Sequence, residues 1–300
     1  MNTYVPPTLV IALGGNALLR RGQPLTAAAQ RAQIEVAARD IAPLLGTHRV
    51  AITHGNGPQV GLLSIQAGGT WPLDVLDAQS EGMIGYEIEL ALANAAPNAK
   101  LATLLTQVEV SLEDPAFGNP TKPIGPVYSK PVLQDFPDWT LKSDGTGWRR
   151  VVPSPLPQRI LGVETLRLLI DAGVHTICLG GGGIPVARAL DGALDGVEAV
   201  IDKDAASAML ALELCADVLI MLTDVPAVMA DFGTPQARAI GATTPRKLSQ
   251  FDFPAGTMGP KVAAAVAMAK AGRSAAIGAL GDLEAILRGD TGTWVCPDAD

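Results

Sequence analysis

Thr8 to Leu13, reading TLVIAL, is a nearly continuous apolar run with β-branched residues. Such a run predicts a strand covered on both faces. From Thr26 to Leu45, Ile34, Ala37, Ala38, Ile41, Leu44 and Leu45 recur at three- and four-residue spacing. That spacing predicts a helix with one apolar stripe. A second strand is predicted over Arg49–Thr53, after which Pro58 suits the first position of a helix, where its fixed φ and missing N–H cost nothing. The alternation continues with a strand over Val174–Leu179, then Gly180–Gly183 and a helix-like stretch through Leu190. A short strand over Glu198–Ile201, a helix over Ala205–Leu214 and a strand over Val218–Leu222 follow. The pattern closes with a helix over Val262–Ala271 and a strand over Ser274–Leu280. Strands alternating with helices imply an α/β fold with a mostly parallel sheet and helices on both faces.

One stretch, residues 112–159, breaks this rhythm. It is dense in proline and places Trp139 and Trp148 on either side of Ser143-Asp144-Gly145-Thr146-Gly147, which predicts a hairpin. Two tryptophans argue against a linker and for an inserted lid or small protruding subdomain. Composition narrows the function classes. Apolar residues make up 48% of the 300, enough for a substantial core in one large domain or two lobes. The net charge of −8, with no basic stripe, counts against a nucleic-acid backbone as partner. It leaves room for a small phosphorylated ligand held by a few local cations. The longest apolar runs fall short of the roughly 20 residues a spanning helix needs. The polar, Pro-containing start, Met1–Thr8, lacks a signal-peptide pattern. Cys178, Cys215 and Cys296 are widely spaced and form no metal pattern, so free thiols in a reducing compartment are expected.

Three glycine-rich turns, Gly14-Gly15, Gly55-Asn56-Gly57 and Gly180–Gly183, fall at the carboxyl ends of predicted strands, where open α/β sheets bind ligands. Glycine lets backbone N–H groups close on a bulky anion. Each turn alone could be a tight connection; three together favour phosphate handling. None matches GxxxxGK[ST] or GxGxxG, and no nucleophile motif is present. The chain holds only eight lysines, and three occupy unusual places. Lys203 lies between Asp202 and Asp204, Lys261 follows Gly259-Pro260 at a helix start, and Lys122 sits in the stiff frame NPTKPIGP. A cation at a helix N-terminus opposes the dipole, so Lys261 calls for an anion beside it. Phosphoryl transfer uses such equipment: aimed N–H groups and lysines neutralise the migrating group, and carboxylates hold the lysines and Mg²⁺. The competing readings are solvated lysines, first-turn helix charge for Asp204, a loop residue for Asp224, and a structural histidine for His54, which with His48 and His175 has no ligand spacing.

At this point the chain resembles the carbamate kinases of the amino-acid-kinase family. The resemblance is carried by ALGGNAL (Ala12–Leu18), THGNGPQVG (Thr53–Gly61), EGMIGY (Glu81–Tyr86), the Lys122 segment, Gly180–Pro185, Ile201-Asp202-Lys203-Asp204 and Met258-Gly259-Pro260-Lys261, in order along the chain. It implies an open three-layer αβα sandwich with a small protruding subdomain, usually in a homodimer. It implies reversible transfer between carbamoyl phosphate with ADP and carbamate with ATP, using Mg²⁺ bound with the nucleotide, and no metal site of the protein's own. By that resemblance the N-terminal half takes the small substrate, and residues 200–300 take the nucleotide. Lys203 and Lys261 would neutralise the transferring phosphoryl, Asp204 would orient both, and Lys122 would reach in from the insert. Gly14, Gly15, Asn16, Gly55, Asn56, Gly57, Gly181 and Gly182 would face carbamate and phosphoryl oxygens. Thr223, Asp224, Val225, Gly256, Met258 and Gly259 would lie along the nucleotide. The chain departs from many relatives at Pro226, Met229 and Thr257, all at the expected purine edge. Rival expectations are a kinase for another small acid and a catalytically silent binding relative. A cytoplasmic enzyme running toward ATP is the expectation carried forward.

Overall fold

The computed structural model describes residues 5–19, 23–24, 26–132, 136–253 and 258–298. The first half contains β1 (Thr8–Leu13), α1 (Gly15–Leu18), α2 (Ala27–Ile41), β2 (Arg49–His54), α3 (Gly57–Ala67), α4 (Leu73–Ala95), β3 (Leu101–Thr103) and β4 (Gln107–Glu109). There follow β5 (Lys122–Tyr128), β6 (Thr140–Asp144), β7 (Gly147–Val152), β8 (Arg159–Ile160), α5 (Val163–Asp171), β9 (His175–Ile177), β10 (Ile184–Arg188) and β11 (Leu194–Gly196). The rest holds α6 (Lys203–Glu213), β12 (Val218–Thr223), β13 (Met229–Ala230), β14 (Arg238–Ala239), β15 (Ala242–Thr243), α7 (Pro245–Leu248), α8 (Met258–Lys270), β16 (Ser274–Ala279), α9 (Leu283–Arg288) and β17 (Thr293–Val295).

Eight strands form one sheet in the order β15-β17-β16-β12-β1-β2-β9-β3. All neighbours pair in parallel except β16 with β17. β1 is central, and its alternation explains why its sequence is continuously apolar. Val10 and Ala12 point into a core shared with Leu166 and Ile170 of α5, Leu210 of α6 and Ala265 of α8. Leu9, Ile11 and Leu13 point into the opposite core, with Ile34 and Ile41 of α2, Ile84 and Ile88 of α4 and Ile286 of α9. Both faces are therefore dry, as a parallel sheet requires. The α/β class with a three-layer arrangement, expected above, is the fold observed.

Several local expectations shift for identifiable reasons. The predicted helix over Thr26–Leu45 ends at Ile41 and continues as a 3₁₀ turn over Ala42–Gly46, where Pro43 has no N–H to donate. Pro58 is the second residue of α3, since Asn56 is the N-cap. The helix-like stretch after Gly183 is instead β10, which pairs in parallel with β4 and antiparallel with β11. Its residues Ile184-Pro185-Val186 suit a strand in a small sheet better than a helix. Glu198–Ile201 is irregular rather than a strand, with a bend at Glu198; Val200 N–H donates to Pro153 O (3.0 Å). The helix expected from Ala205 begins at Lys203, because Asp202 caps it. That expected from Val262 begins at Met258.

The proline-rich stretch contains the predicted hairpin, β6–β7, with Gly145 at φ 62° in its turn. β5 pairs with β7 to complete a three-stranded antiparallel sheet separate from the large one. This sheet rides on α3, where Gly61 and Gly125 meet backbone to backbone; a Cβ on Gly61 would run into Gly125. No helix among the described residues is long and apolar enough to cross a membrane.

Candidate active site

The sheet topology brings the carboxyl ends of β1, β2 and β12 together. Gly55 N–H donates to Leu13 O (3.0 Å), and Gly14 N–H donates to Leu222 O (2.9 Å). A Cβ on Gly14 would stand 2.8 Å from Leu222 O, and one on Gly55 would stand 3.1 Å from Gly15 N and 3.6 Å from Lys203 Cδ. Glycine is needed at Gly14 and Gly55 because three backbones and a lysine stem meet there. Asn16 follows in α1, and Gly57 opens α3 with its Cβ position 3.8 Å from Pro123 O on β5.

The third glycine turn lies across this corner. A Cβ on Gly181 would collide with the Asn56 amide, and one on Gly182 would stand 2.7 Å from Ile201 O. Leu179, Gly181, Gly182 and Gly183 all have positive φ (51°, 69°, 101° and 90°). The turn is thus wedged between the β2–α3 connection and the residue that leads into Asp202.

Three lysines far apart in sequence converge on two neighbouring aspartates. Lys203 Nζ donates to Asp204 Oδ1 (2.5 Å), and Lys261 Nζ, from the first turn of α8, donates to Asp204 Oδ2 (3.1 Å). Asp202 caps α6 through Oδ1, which accepts from Asp204 N (3.0 Å) and Ala205 N (3.2 Å), while its Oδ2 accepts from Lys122 Nζ (2.7 Å). Lys122 is the first residue of β5, so the three-stranded sheet is tied electrostatically to α6. Burial pulls the Asp204 carboxyl upward, but Lys203 and Lys261 outweigh it and hold it well below the usual carboxylate range. Burial lowers the Lys203 ammonium, an effect Asp204 only partly offsets. For Asp202, burial raises the carboxyl and Lys122 brings it below its ordinary value. Two lysines on Asp204 leave one positive charge in excess beside the Gly55 turn, an arrangement that favours an anion.

On the other flank, Thr223 ends β12, donates from Oγ1 to Asp224 Oδ1 (3.1 Å) and accepts at its carbonyl from Leu280 N (3.0 Å). Asp224 is exposed and Val225 half-buried. Met258 and Gly259 open α8 just ahead of Lys261, and α8 packs on β12. Gly256 lies outside the described residues. A cavity of ≈ 920 Å³ between the β6–β7 hairpin, the α3–α4 junction and β10–β11 contains none of these residues.

Sequence reasoning passed over Asp202 as the partner of Lys122. It also passed over Asp77 and Ser80, both fully buried on α4 and bonded to the Asn56 amide (2.6 and 2.8 Å). The sequence carried no clear signal for the α4 pair, since α4 also bears Asp74, Gln79, Glu87 and Glu89. His54 is a buried structural histidine whose Nδ1 faces Gly55 O (3.2 Å), and burial lowers it to about 4.

Residues 7–278 match the amino acid kinase family. The chain belongs to that family, so fold and site together define a small-molecule phosphotransferase. The carbamate kinase of Rhizobium meliloti is 52% identical over 299 residues, covering 96% of this chain and 92% of the relative. That of Haemophilus influenzae is 50% identical over 297 residues, covering 96% of each. The carbamate kinase of Giardia lamblia, solved with citric acid and with AMP-PNP, superposes with TM-scores of 0.91 and 0.88 at 38% identity, covering 98% of this chain and 99% of that one. At that identity and coverage the chain belongs to the carbamate kinases.

Proposed function

We propose that the chain transfers a phosphoryl group reversibly between carbamoyl phosphate with ADP and carbamate with ATP, and runs toward ATP in cells. The observation that carries this reading is the convergence of Lys203 and Lys261 on one aspartate beside the Gly14 and Gly55 turns. In the forward step a β-phosphate oxygen of ADP bonds to the phosphorus of carbamoyl phosphate. The bond from phosphorus to the carbamate oxygen breaks, and carbamate leaves with that electron pair. No side chain becomes covalently attached, so the residues position and neutralise. Lys203 and Lys261 face the equatorial phosphoryl oxygens, and Asp204 keeps the two ammonium groups apart and aimed. The turns that hold Gly14, Gly15, Asn16, Gly55, Asn56, Gly57, Gly181 and Gly182 surround the carbamate and phosphoryl oxygens. The N–H groups of Gly14, Gly55 and Gly182 donate to the Leu222, Leu13 and Leu179 carbonyls, so the donors come from the other residues of these turns. Thr223, Asp224, Val225, Gly256, Met258 and Gly259 border the nucleotide. The AMP-PNP complex of the Giardia relative supports nucleotide binding on this fold.

Residues 112–159 form the lid in this reading. The Lys122–Asp202 pair is its latch, and closing excludes water from the reacting phosphoryl. Among the described residues no group of three or more His, Cys, Asp or Glu is placed to hold a metal ion. Mg²⁺ normally keeps several waters and is held by one or two carboxylates plus substrate phosphates. All four oxygens of the nearby carboxylates Asp202 and Asp204 already accept hydrogen bonds, so an ion arriving with the nucleotide would be held chiefly by substrate phosphates and water, and when bound it would neutralise the phosphate oxygens. The exposed residues Met83, Tyr86 and Leu90 make an apolar stripe on α4, and Leu105 lies beside it near the edge strand β3. A second copy of the chain covers this face in the proposed homodimer, which Tyr86→Arg would split into monomers by light scattering. Free Cys178, Cys215 and Cys296 support a reducing, cytoplasmic setting.

The test is coupled ATP formation from ADP and carbamoyl phosphate, with and without Mg²⁺. Metal-dependent ATP above the spontaneous decay of carbamoyl phosphate is expected. Its absence, with a different small acid accepted in a competition panel, would reassign the substrate.

A further inference from the structure

α4 carries a polar stripe that is fully inside the protein. Asp77, Ser80 and Glu81 stand three and four residues apart, on one face of the helix, and none is more than 1% exposed. Burying an acid without partners is costly, so what these groups touch is informative. Asp77 Oδ1 accepts from Asn56 Nδ2 (2.6 Å), and Ser80 Oγ accepts from the same nitrogen (2.8 Å) while donating to Asp77 O (2.9 Å). Both N–H bonds of the Asn56 amide are therefore spoken for, and the side chain is turned inward rather than capping α3. Glu81 Oε1 accepts from Gly180 N (2.8 Å), and Oε2 accepts from Thr106 N (3.2 Å).

The two segments gripped by α4 also pack on each other. A Cβ on Gly181 would collide with the Asn56 amide; one on Gly180 would stand 2.5 Å from the His54 ring and 2.7 Å from Glu81 Cγ. The turn needs an external hold. Leu179 has φ 51°, a conformation strained for a non-glycine residue that persists only where its surroundings over-determine it.

We infer that Asp77, Ser80 and Glu81 are positioning residues for the carbamate side of the site. Asp77 with Ser80 aims Asn56, and Glu81 holds the Gly180–Gly183 turn against it. This rests on the functional reading above. Burial pushes the Asp77 carboxyl well above its ordinary value and Glu81 up to about 8. Burial thus disfavours negative charge on this face of the helix, beside a site that takes an anionic substrate. Asp77 Oδ2 has no hydrogen-bond partner.

The experiment compares wild type, Asp77→Asn, Asp77→Ala and Glu81→Gln, with KM taken separately for carbamoyl phosphate and ADP, and ADP affinity by calorimetry. Asp77→Asn keeps the acceptor for Asn56 and stays within about threefold of wild type. Asp77→Ala frees Asn56; a displacement near 1 Å costs on the order of 10²-fold, so kcat/KM for carbamoyl phosphate falls about 10- to 100-fold. ADP affinity stays within about twofold of wild type, since the aim of Asn56, not the fold, has been lost. Glu81→Gln sets an amide donor against one of two N–H groups and falls in the same way. Should Asp77→Ala fail to fold, the isosteric pair decides: an unimpaired Glu81→Gln overturns the inference. So does a loss of ADP affinity in step with activity, which marks a merely structural role. A wild type that binds ADP but makes no ATP sinks the functional reading instead.

Discussion

Replacing Asp204 by asparagine removes the carboxylate that two lysines share. The side chains are deeply placed: Asp204 is 5% exposed, Lys203 9% and Lys261 12%. At the 3.1 Å separation of Lys261 from Asp204, and an effective dielectric of about 20, one pair has a gross attraction of roughly 5 kcal/mol before desolvation. Desolvation offsets much of that while the pair is intact, but removing the anion leaves cations buried without a partner. Breaking a buried pair in this way costs about 3–5 kcal/mol. Lys203, whose ammonium burial already disfavours, is the group that then sheds its proton. Asp204→Asn should therefore lose about 3–5 kcal/mol in urea unfolding and on the order of 10²–10³ in ATP-forming turnover. Lys261→Ala separates the two effects. Asp204 keeps Lys203, so stability changes by about 1 kcal/mol or less, yet turnover falls on the order of 10²–10³ because one aimed cation is gone. Lys203→Ala should lose a comparable factor. If Asp204→Asn unfolds like the wild type and turns over normally, or if both lysine variants stay near wild-type turnover with the fold intact by circular dichroism, the assignment of the site is wrong.

Three further outcomes are expected. Lys122→Ala releases the contact between β5 and Asp202, so KM and kcat should shift together in steady-state kinetics, as for a closing lid; a change in KM alone would deny Lys122 a part in the chemistry. Gly61→Ala gains roughly 1 kcal/mol of helix propensity but forces the β5 backbone at Gly125 off α3, and overpacking of about 1–3 kcal/mol should win, seen as a lower Tm with weakened Lys122-dependent activity. His54 titrates near 4 when folded against 6.5 ordinarily, so between those values the unfolded chain binds a proton that the folded one refuses. Its contribution is complete above pH 6.5 and is lost as pH falls toward 4. The stability of wild type minus that of His54→Asn should drop by about 3 kcal/mol across that window; a flat difference would mean that His54 is not buried neutral.

Much of this was legible in the chain itself. The strands β1, β2, β12 and β16 are short apolar runs bounded by glycine or polar turns, and local pattern suffices for them because a doubly covered strand must be apolar throughout. Lysines in unfavourable places, and glycines where backbones must meet, pointed to the site for the same reason: their local cost has to be met by something outside the local sequence. What the pattern did not carry was whatever depends on a distant partner. The β10 segment has a helix-like pattern in isolation, because its strand character comes from β4, more than seventy residues upstream. Lys122 and Asp202 are separated by 80 positions, and only the packing of β5 on α3 brings them within 2.7 Å. Asp77 and Glu81 look like ordinary helix-surface acids, and their burial follows from how α4 lies against the Asn56 and Gly180 turns. Composition and spacing thus determined the fold class and the candidate charges. Which charge meets which, and which acids are dry, was decided by tertiary packing, because hydrogen bonding and desolvation act over a few ångströms of space and take no account of separation along the chain.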